Sequence, residues 1–257
     1  MTALQGQHAF ITGGGSGIGL ACATALAADG AKVTIVGRTE ARLQAAVAQL
    51  PDSVGYIVAD IADEQAIADA VQQANAAQPL TIAVANAGTG SASPFLETDS
   101  SEWQRVLDTN LNGTFFTFKY AGQALAANGG GAMCAISSIA GARTHQMMSA
   151  YCVSKAAVDM LVKNTADELG SLNIRVNSVG PGLVETDLSQ GLHENDAMRD
   201  DYLRCMPIAR TGQAKDIGQA VRFLCGPEAS WITGVVLPVD GGHHLRRGPN
   251  LSVMAGA

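Results

Sequence analysis

Charge is scarce in this sequence. Asp, Glu, Lys and Arg make up 15% of 257 residues, and the balance is acidic, with 16 Lys and Arg against 23 Asp and Glu and a formal net charge of -7. A nucleic-acid surface needs clustered cations, and here they are dispersed. An anionic membrane is a poor partner for the same reason. Met1 to Gln7 lacks the apolar stretch of a secretory leader, and no run approaches the roughly 18 uninterrupted apolar residues of a membrane span. A cytoplasmic location is expected. The five cysteines, Cys22, Cys134, Cys152, Cys205 and Cys225, include no C-x-x-C pair. Neither a disulfide framework nor a metal site is indicated, and most are expected to be buried thiols.

Apolar surface is abundant: 47% of residues are hydrophobic and the mean hydropathy is +0.14. That suffices for a sheet covered on both faces. No linker divides residues 1–257, so one α/β domain is expected. His8 to Ile11 reads as a strand running into Thr12-Gly13-Gly14-Gly15-Ser16-Gly17-Ile18-Gly19, and Leu20 to Asp29 as a helix closed by Gly30. Strand, glycine turn and helix form the context of a dinucleotide site. Glycine lets backbone approach a pyrophosphate, and the helix N-terminus offers free N–H groups and a positive dipole. The pattern here is G-x-x-x-G-x-G rather than the strict G-x-G-x-x-G.

Further strands are expected at Ala31 to Val36, Val54 to Ala59, Leu80 to Ala85, Met133 to Ser137, Asn173 to Val179 and Val235 to Val239, the last an edge because it contains Pro238. Helices are expected at Glu40 to Leu50, Asp63 to Ala77, Ser100 to Asn128, from Tyr151 onward, and at Ala214 to Cys225. Asn110 and Gly113 suggest a kink within the third of these. At the end of the second strand, where a carboxylate would select NAD(H), stand Gly37, Arg38 and Thr39. A guanidinium there favours the 2'-phosphate of NADP(H) over NAD(H), with Thr39 a second donor. Asp60, beside Ile61, can accept from an adenine amino group or cap the next segment. Asn86, followed by Ala87 and Gly88, is placed to brace the central sheet.

Tyr151 and Lys155 are four apart on a helix, so the phenol and ammonium share one face. A cation within ~4–6 Å lowers a phenol's pKa and makes it a usable proton carrier. Ser138, at a strand's carboxyl end, can polarise a carbonyl oxygen. Pro181-Gly182-Leu183-Val184-Glu185-Thr186 is a turn suited to the nicotinamide end. Asp187 to Gly212 shows little regular signal and reads as a lid. His145, Met147, Met148, Leu192, Tyr202 and Met206, with Ser138, are expected to line a substrate pocket with a largely apolar body. Residues 243–257 read as a tail, disordered or reaching a neighbouring subunit.

Together the Gly13, Gly17, Gly19 turn, Asn86-Ala87-Gly88, Asn110 with Gly113, Ser138, Tyr151 with Lys155, Pro181-Gly182 with Thr186, and Asp240-Gly241-Gly242 resemble the short-chain dehydrogenase/reductase superfamily from Gln5 to Gly242. The resemblance implies a Rossmann-like, doubly wound parallel sheet of about seven strands with helices on both faces, and a homotetramer. It implies a catalytic tetrad of Asn110, Ser138, Tyr151 and Lys155. Gly13, Gly15, Ser16, Gly17, Ile18, Gly19, Arg38, Thr39, Asp60, Ile61, Asn86, Ala87, Gly88, Tyr151, Lys155, Pro181, Gly182, Val184 and Thr186 would hold the cofactor. The expected activity is NADP(H)-dependent interconversion of a small-molecule ketone and a secondary alcohol. A 3-oxoacyl reductase is the alternative, and a non-catalytic NADP(H) sensor is a third reading.

Overall fold

Apolar side chains on the central strands alternate between two faces, and this alternation sets the architecture. In β1 (His8–Thr12), Ala9 and Ile11 enter one core cluster and Phe10 the other. In β4 (Ile82–Ala85), Ile82 and Val84 join the first cluster, while Ala83 and Ala85 join the second. A strand buried on both faces reads as a continuous apolar run, the pattern of a parallel sheet covered twice. The structure is a computed structural model and describes residues 2–190, 194 and 196–246.

The remaining strands are β2 (Lys32–Gly37), β3 (Val54–Val58), β5 (Gly131–Ile136), β6 (Ile174–Pro181), the two-residue β7 (Val184–Glu185) and β8 (Gly212–Gln213), and β9 (Val236–Val239). Seven form one sheet in the order β3-β2-β1-β4-β5-β6-β9, every pair parallel. The sheet is thus a Rossmann-like, doubly wound one. β9, with Pro238, lies at an edge, where a missing N–H is tolerated.

Cys22, Ala23 and Leu26 of α1 (Gly17–Ala28), Leu43 of α2 (Glu40–Val47), and Ile217, Val221 and Leu224 of Ala214–Cys225 cover one face. The other is covered by Ile67 and Val71 of α3 (Glu64–Ala77), Phe118 and Leu125 of α5 (Gly113–Ala127), and Val158 and Val162 of α6 (Ser149–Leu169). Cys22, Cys134 and Cys225 are buried. Burial pushes the Cys22 thiol up, and a bond with Cys225 followed by burial does the same to Cys134, which leaves both inert as nucleophiles. No cluster of metal-ligating side chains, and no helix long and apolar enough to cross a membrane, occurs among the described residues.

The helix expected over 100–128 is interrupted. α4 (Ser100–Leu107) passes into a π-helical turn, Asp108–Asn112, in which the Gly113 N–H bonds to the Asp108 carbonyl, before α5 resumes. A Cβ at Gly113 would lie 2.7 Å from the Ile61 side chain, so glycine lets this turn press on the strand-end loop. The expectation of little regular structure over 187–212 is corrected: the segment contains α7 (Asp196–Cys205). Its sequence is polar, and local i,i+3 pairs such as Arg204 with Asp201 support it. β7 and β8 pair in parallel and tie the start of this segment to its end. The last helix, α8 (Ala214–Cys225), lies against α1, and a Cβ on Gly218 would stand 2.6 Å from the Ala21 carbonyl oxygen. At the end of α1 the Asp29 carboxylate accepts from Arg222 Nε at 2.6 Å and from the Ala3 N–H at 3.1 Å.

Candidate active site

The strand order reverses between β1 and β4, and open α/β sheets bind ligands at such a point, outside the carboxyl ends of the strands. A cavity of about 650 Å³ lies there. Its first half is lined by Gly13, Gly15, Ser16, Gly17 and Ile18. Gly13 and Gly17 have φ of +66° and +52°, a conformation that favours glycine. Gly19 does not line the cavity but stands behind the turn, where a Cβ would meet the Gly13 carbonyl oxygen at 2.2 Å. The Ser16 side chain makes no capping bond to α1. The first-turn amides of a 12-residue helix are therefore left for an anion, and the turn fits a dinucleotide pyrophosphate. Asn86 Nδ2 donates to the carbonyls of Thr12 and Gly13 at 2.9 and 3.2 Å, bracing β4 to β1.

Past the end of β2, Gly37, Arg38 and Thr39 line the same cavity, with Asp60 and Ile61 opposite. Arg38 pairs with Asp60 at 3.7 Å, and both are solvent-exposed. Asp60 also accepts from the Ala62 N–H at 3.0 Å. Arg42, in the first turn of α2, lines this end too and pairs with Asp187 at 3.7 Å. Sequence reasoning passed over it, because it reaches the cavity from the first turn of α2 rather than from the strand end.

The second half is lined by Ala87, Gly88, Ser138, Tyr151, Lys155, Pro181, Gly182, Val184 and Thr186. Ser138 Oγ accepts from the Ala140 N–H at 3.1 Å and faces the Tyr151 phenol with its own proton. Lys155 is buried, donates from Nζ to the Ile136 carbonyl at 2.8 Å, and stands 5.6 Å from the centre of the Tyr151 ring. Asn110 is fully buried on the π-turn and does not line the cavity. Its Nδ2 donates to the Thr89 carbonyl at 2.9 Å and to Ser154 Oγ at 3.0 Å, and its Oδ1 accepts from the Thr89 N–H at 2.7 Å. A Cβ at Gly88 would lie 3.2 Å from Asn110 Oδ1 and 3.5 Å from Lys155 Nζ, so these groups flank the gap that glycine leaves.

The expectation that Lys155 depresses the Tyr151 phenol is corrected. Burial pushes the phenol up, and the Ser138 hydroxyl beside it provides the opposing effect. Burial also lowers the Lys155 ammonium from 10.5 to about 8, opposed by the carboxylate of Asp159 one turn further on. Asp159 is itself raised by burial against the hydroxyls of Ser137 and Ser178 and the cations Lys155 and Lys163. Burial outweighs attraction for both partners, and both lean toward their neutral forms. Lys155 has its folded pKa below its unfolded one, so between about pH 8 and 10.5 the folded chain binds fewer protons than the unfolded chain. Stability contributed by this group therefore rises with pH across that window, and the full cost of burying the charge is present below it. Urea unfolding of the wild type should show this rise, on the order of 3 kcal/mol by the pKa difference. Lys155→Met should flatten it, and parallel pH profiles for the two proteins would refute the assignment.

His145, Met148 and Tyr202 line the outer part of this half beside Ser138. Two expected pocket residues do not line the cavity: Met147 is exposed, and Met206 is buried with its sulfur against Gly241. Met147 has φ of +65°, and its carbonyl accepts from the Ser93 N–H at 2.8 Å; this backbone turns its side chain to solvent. Leu192 and residues 247–257 of the tail lie outside the described residues.

Comparisons with known proteins agree with this geometry. A family model described as enoyl-(acyl carrier protein) reductase matches residues 13–244. The chain is 37% identical over 243 residues to galactitol 2-dehydrogenase (L-tagatose-forming) of Cereibacter sphaeroides, covering 93% of this chain and 96% of that one. It is 33% identical to a 3-oxoacyl-(acyl-carrier-protein) reductase of Chlamydia muridarum, over 93% and 98% of the two chains. A short-chain type dehydrogenase/reductase structure from Mycobacterium ulcerans superposes with a TM-score of 0.92 at 41% identity, covering 98% of this chain and 94% of that one. With a glycine turn and a Tyr-Lys pair on one cavity of a seven-stranded parallel sheet, and with these relatives along nearly its whole length, the chain belongs to the short-chain dehydrogenase/reductase family of NAD(P)(H)-dependent oxidoreductases.

Proposed function

We propose that this single-domain chain is a cytoplasmic NADP(H)-dependent oxidoreductase that interconverts a ketone and a secondary alcohol. The observation that carries this reading is one continuous cavity with Arg38 and Arg42 at one end and Ser138, Tyr151 and Lys155 at the other. A bound nicotinamide supplies or takes the hydride. The chain's own residues align the reactants and handle the proton. Ser138, beside Tyr151, donates its proton to the substrate oxygen. Tyr151, held protonated by burial, is the general acid in reduction, and its phenolate is the base in oxidation. Lys155 supplies the cation beside that phenolate and holds the nicotinamide ribose. Asn110, locked to Thr89 and Ser154, orders the wall behind Gly88, toward Lys155 Nζ.

The cofactor preference rests on charge. No carboxylate stands on β2 or at Gly37, Arg38 and Thr39, and two guanidiniums line that end of the cavity, held only by long, exposed pairs with Asp60 and Asp187 that a 2'-phosphate can displace. Replacing Arg38 with leucine should raise the Kd for NADPH by roughly tenfold to a hundredfold, the loss of one charge-assisted hydrogen bond, and change NADH affinity little. Equal losses for both nucleotides would remove the assignment. A 3-oxoacyl reductase needs cations at the pocket mouth to hold an acidic carrier. None of Arg143, Arg204 and Arg210 lines the cavity. Exposed Phe115 on α5, with Val153 and Met160 on α6, supports burial of these helices in a homotetramer.

A further inference from the structure

The outer wall of the cavity carries two polar rings beside the reacting centre. His145 and Tyr202 stack with centroids 6.2 Å apart at 29°, and both are half-buried and line the cavity. His243, itself buried, meets the Tyr202 ring edge-on at 5.6 Å and the His145 ring at 6.3 Å, fixing the pair from behind. His145 Nδ1 lies 3.2 Å from the Arg143 carbonyl oxygen. A carbonyl only accepts, so Nδ1 carries the proton of the neutral ring, and Nε2 is left as an acceptor. Burial, followed by the neighbouring Tyr151, pushes the Tyr202 phenol up, which keeps it protonated. Its hydroxyl makes no hydrogen bond to another described residue, and neither does His145 Nε2.

We propose that His145 and Tyr202 form a donor–acceptor pair that recognises a hydroxyl group on the substrate away from the reacting carbon, so that the enzyme acts on hydroxylated ketones and polyols. The inference rests on the oxidoreductase reading above. A hydroxyl is the small group that both donates and accepts: it gives its hydrogen to His145 Nε2 and takes one from Tyr202. A second carbonyl, a thioester or a carboxylate can only accept, and leaves Nε2 without a donor. An alkyl chain leaves both polar atoms desolvated and unpaired, and a site built for a hydroxyl discriminates against the analogue that lacks it. The pocket expected from the sequence was more apolar, but Met147 and Met206 turn out not to line it.

The test is a matched pair of ketones of equal chain length, a ketose such as tagatose and the plain 2-hexanone, assayed with NADPH. Wild-type protein should show a kcat/KM ratio that favours the ketose. Tyr202→Phe removes the hydroxyl and His145→Phe removes both ring nitrogens, Nδ1 with its Arg143 contact included, while a six-membered ring keeps the stacking partner in place. In either variant the ratio should fall by roughly tenfold to a hundredfold, the expected loss for one unpaired buried polar group. A wild type that prefers the plain ketone, or variants in which both activities change in parallel and the ratio holds, would overturn the inference and leave the oxidoreductase reading in place. Protein that binds NADPH and turns over neither ketone, nor the corresponding alcohols with NADP, would overturn that reading and this inference with it.

Discussion

Replacing Tyr151 with phenylalanine should lower kcat for carbonyl reduction by roughly 10²- to 10⁴-fold, the usual worth of a positioned general acid, while NADPH affinity stays nearly unchanged. The phenyl ring keeps the ring face that Lys155 Nζ approaches at 5.6 Å, so the pocket wall survives. What is lost is the proton. Ser138 cannot replace it efficiently, because an alkoxide is a far stronger base than a phenolate and does not form at neutral pH. Steady-state assays with tagatose and 2-hexanone, paired with NADPH titration by fluorescence, check both halves of the expectation. Reduction in the variant at more than a tenth of the wild-type rate would sink Tyr151 as the proton donor. Loss of NADPH binding would instead show that the phenol's main role is to hold the nucleotide.

The second large effect is expected far from the chemistry, at Gly19. A Cβ there would stand 2.2 Å from the Gly13 carbonyl oxygen and 2.5 Å from Asn86 Nδ2. Neither neighbour can withdraw easily: Asn86 is bonded to Thr12 and Gly13, and the Gly13 N–H is tied to the Val36 carbonyl at 2.7 Å. Gly19→Ala should therefore open the turn, at a cost of about 1–3 kcal/mol for forcing an added methyl into a packed contact. A displaced turn no longer aims the amides of α1 at one point, and NADPH affinity should fall by at least about tenfold. Thermal unfolding reads the first quantity and nucleotide titration the second. An alanine variant with wild-type affinity would show that the turn does not contact the pyrophosphate.

Much of this arrangement was legible because its determinants are local. Glycines at 13, 17 and 19 mark a turn by their own backbone freedom, and Tyr151 and Lys155 meet because helical geometry puts residues four apart on one face. Continuous apolar runs such as Leu80 to Ala85 identified buried parallel strands, and Asn110 with Gly113 marked the place where the helix is interrupted. What escaped depends on contacts between distant segments. Met147 and Met206 are apolar and sit in the right stretches, yet backbone conformation turns one outward and packing against Gly241 takes the other away. Arg42 reaches the cavity because α2 docks beside β2. The raised Tyr151 phenol follows from burial, which no spacing rule measures.

The packing of α1 against α8 bears on the order of events during synthesis. The glycine turn and α1 leave the ribosome before α8, but the apolar flank of α1 is covered by Ile217, Val221 and Leu224, and Asp29 is clasped by Arg222 from 193 positions downstream. N-terminal units generally fold as they emerge, and this one cannot do so completely. Its cover is translated some 193 residues later, so the nascent chain carries an open apolar surface through that stretch of elongation. Contacts of such separation also slow refolding from denaturant, since the chain must close its longest loop before the first helix is secured. The nucleotide-binding half is thus completed only by α8, and truncation before it would remove its support rather than release an independent module.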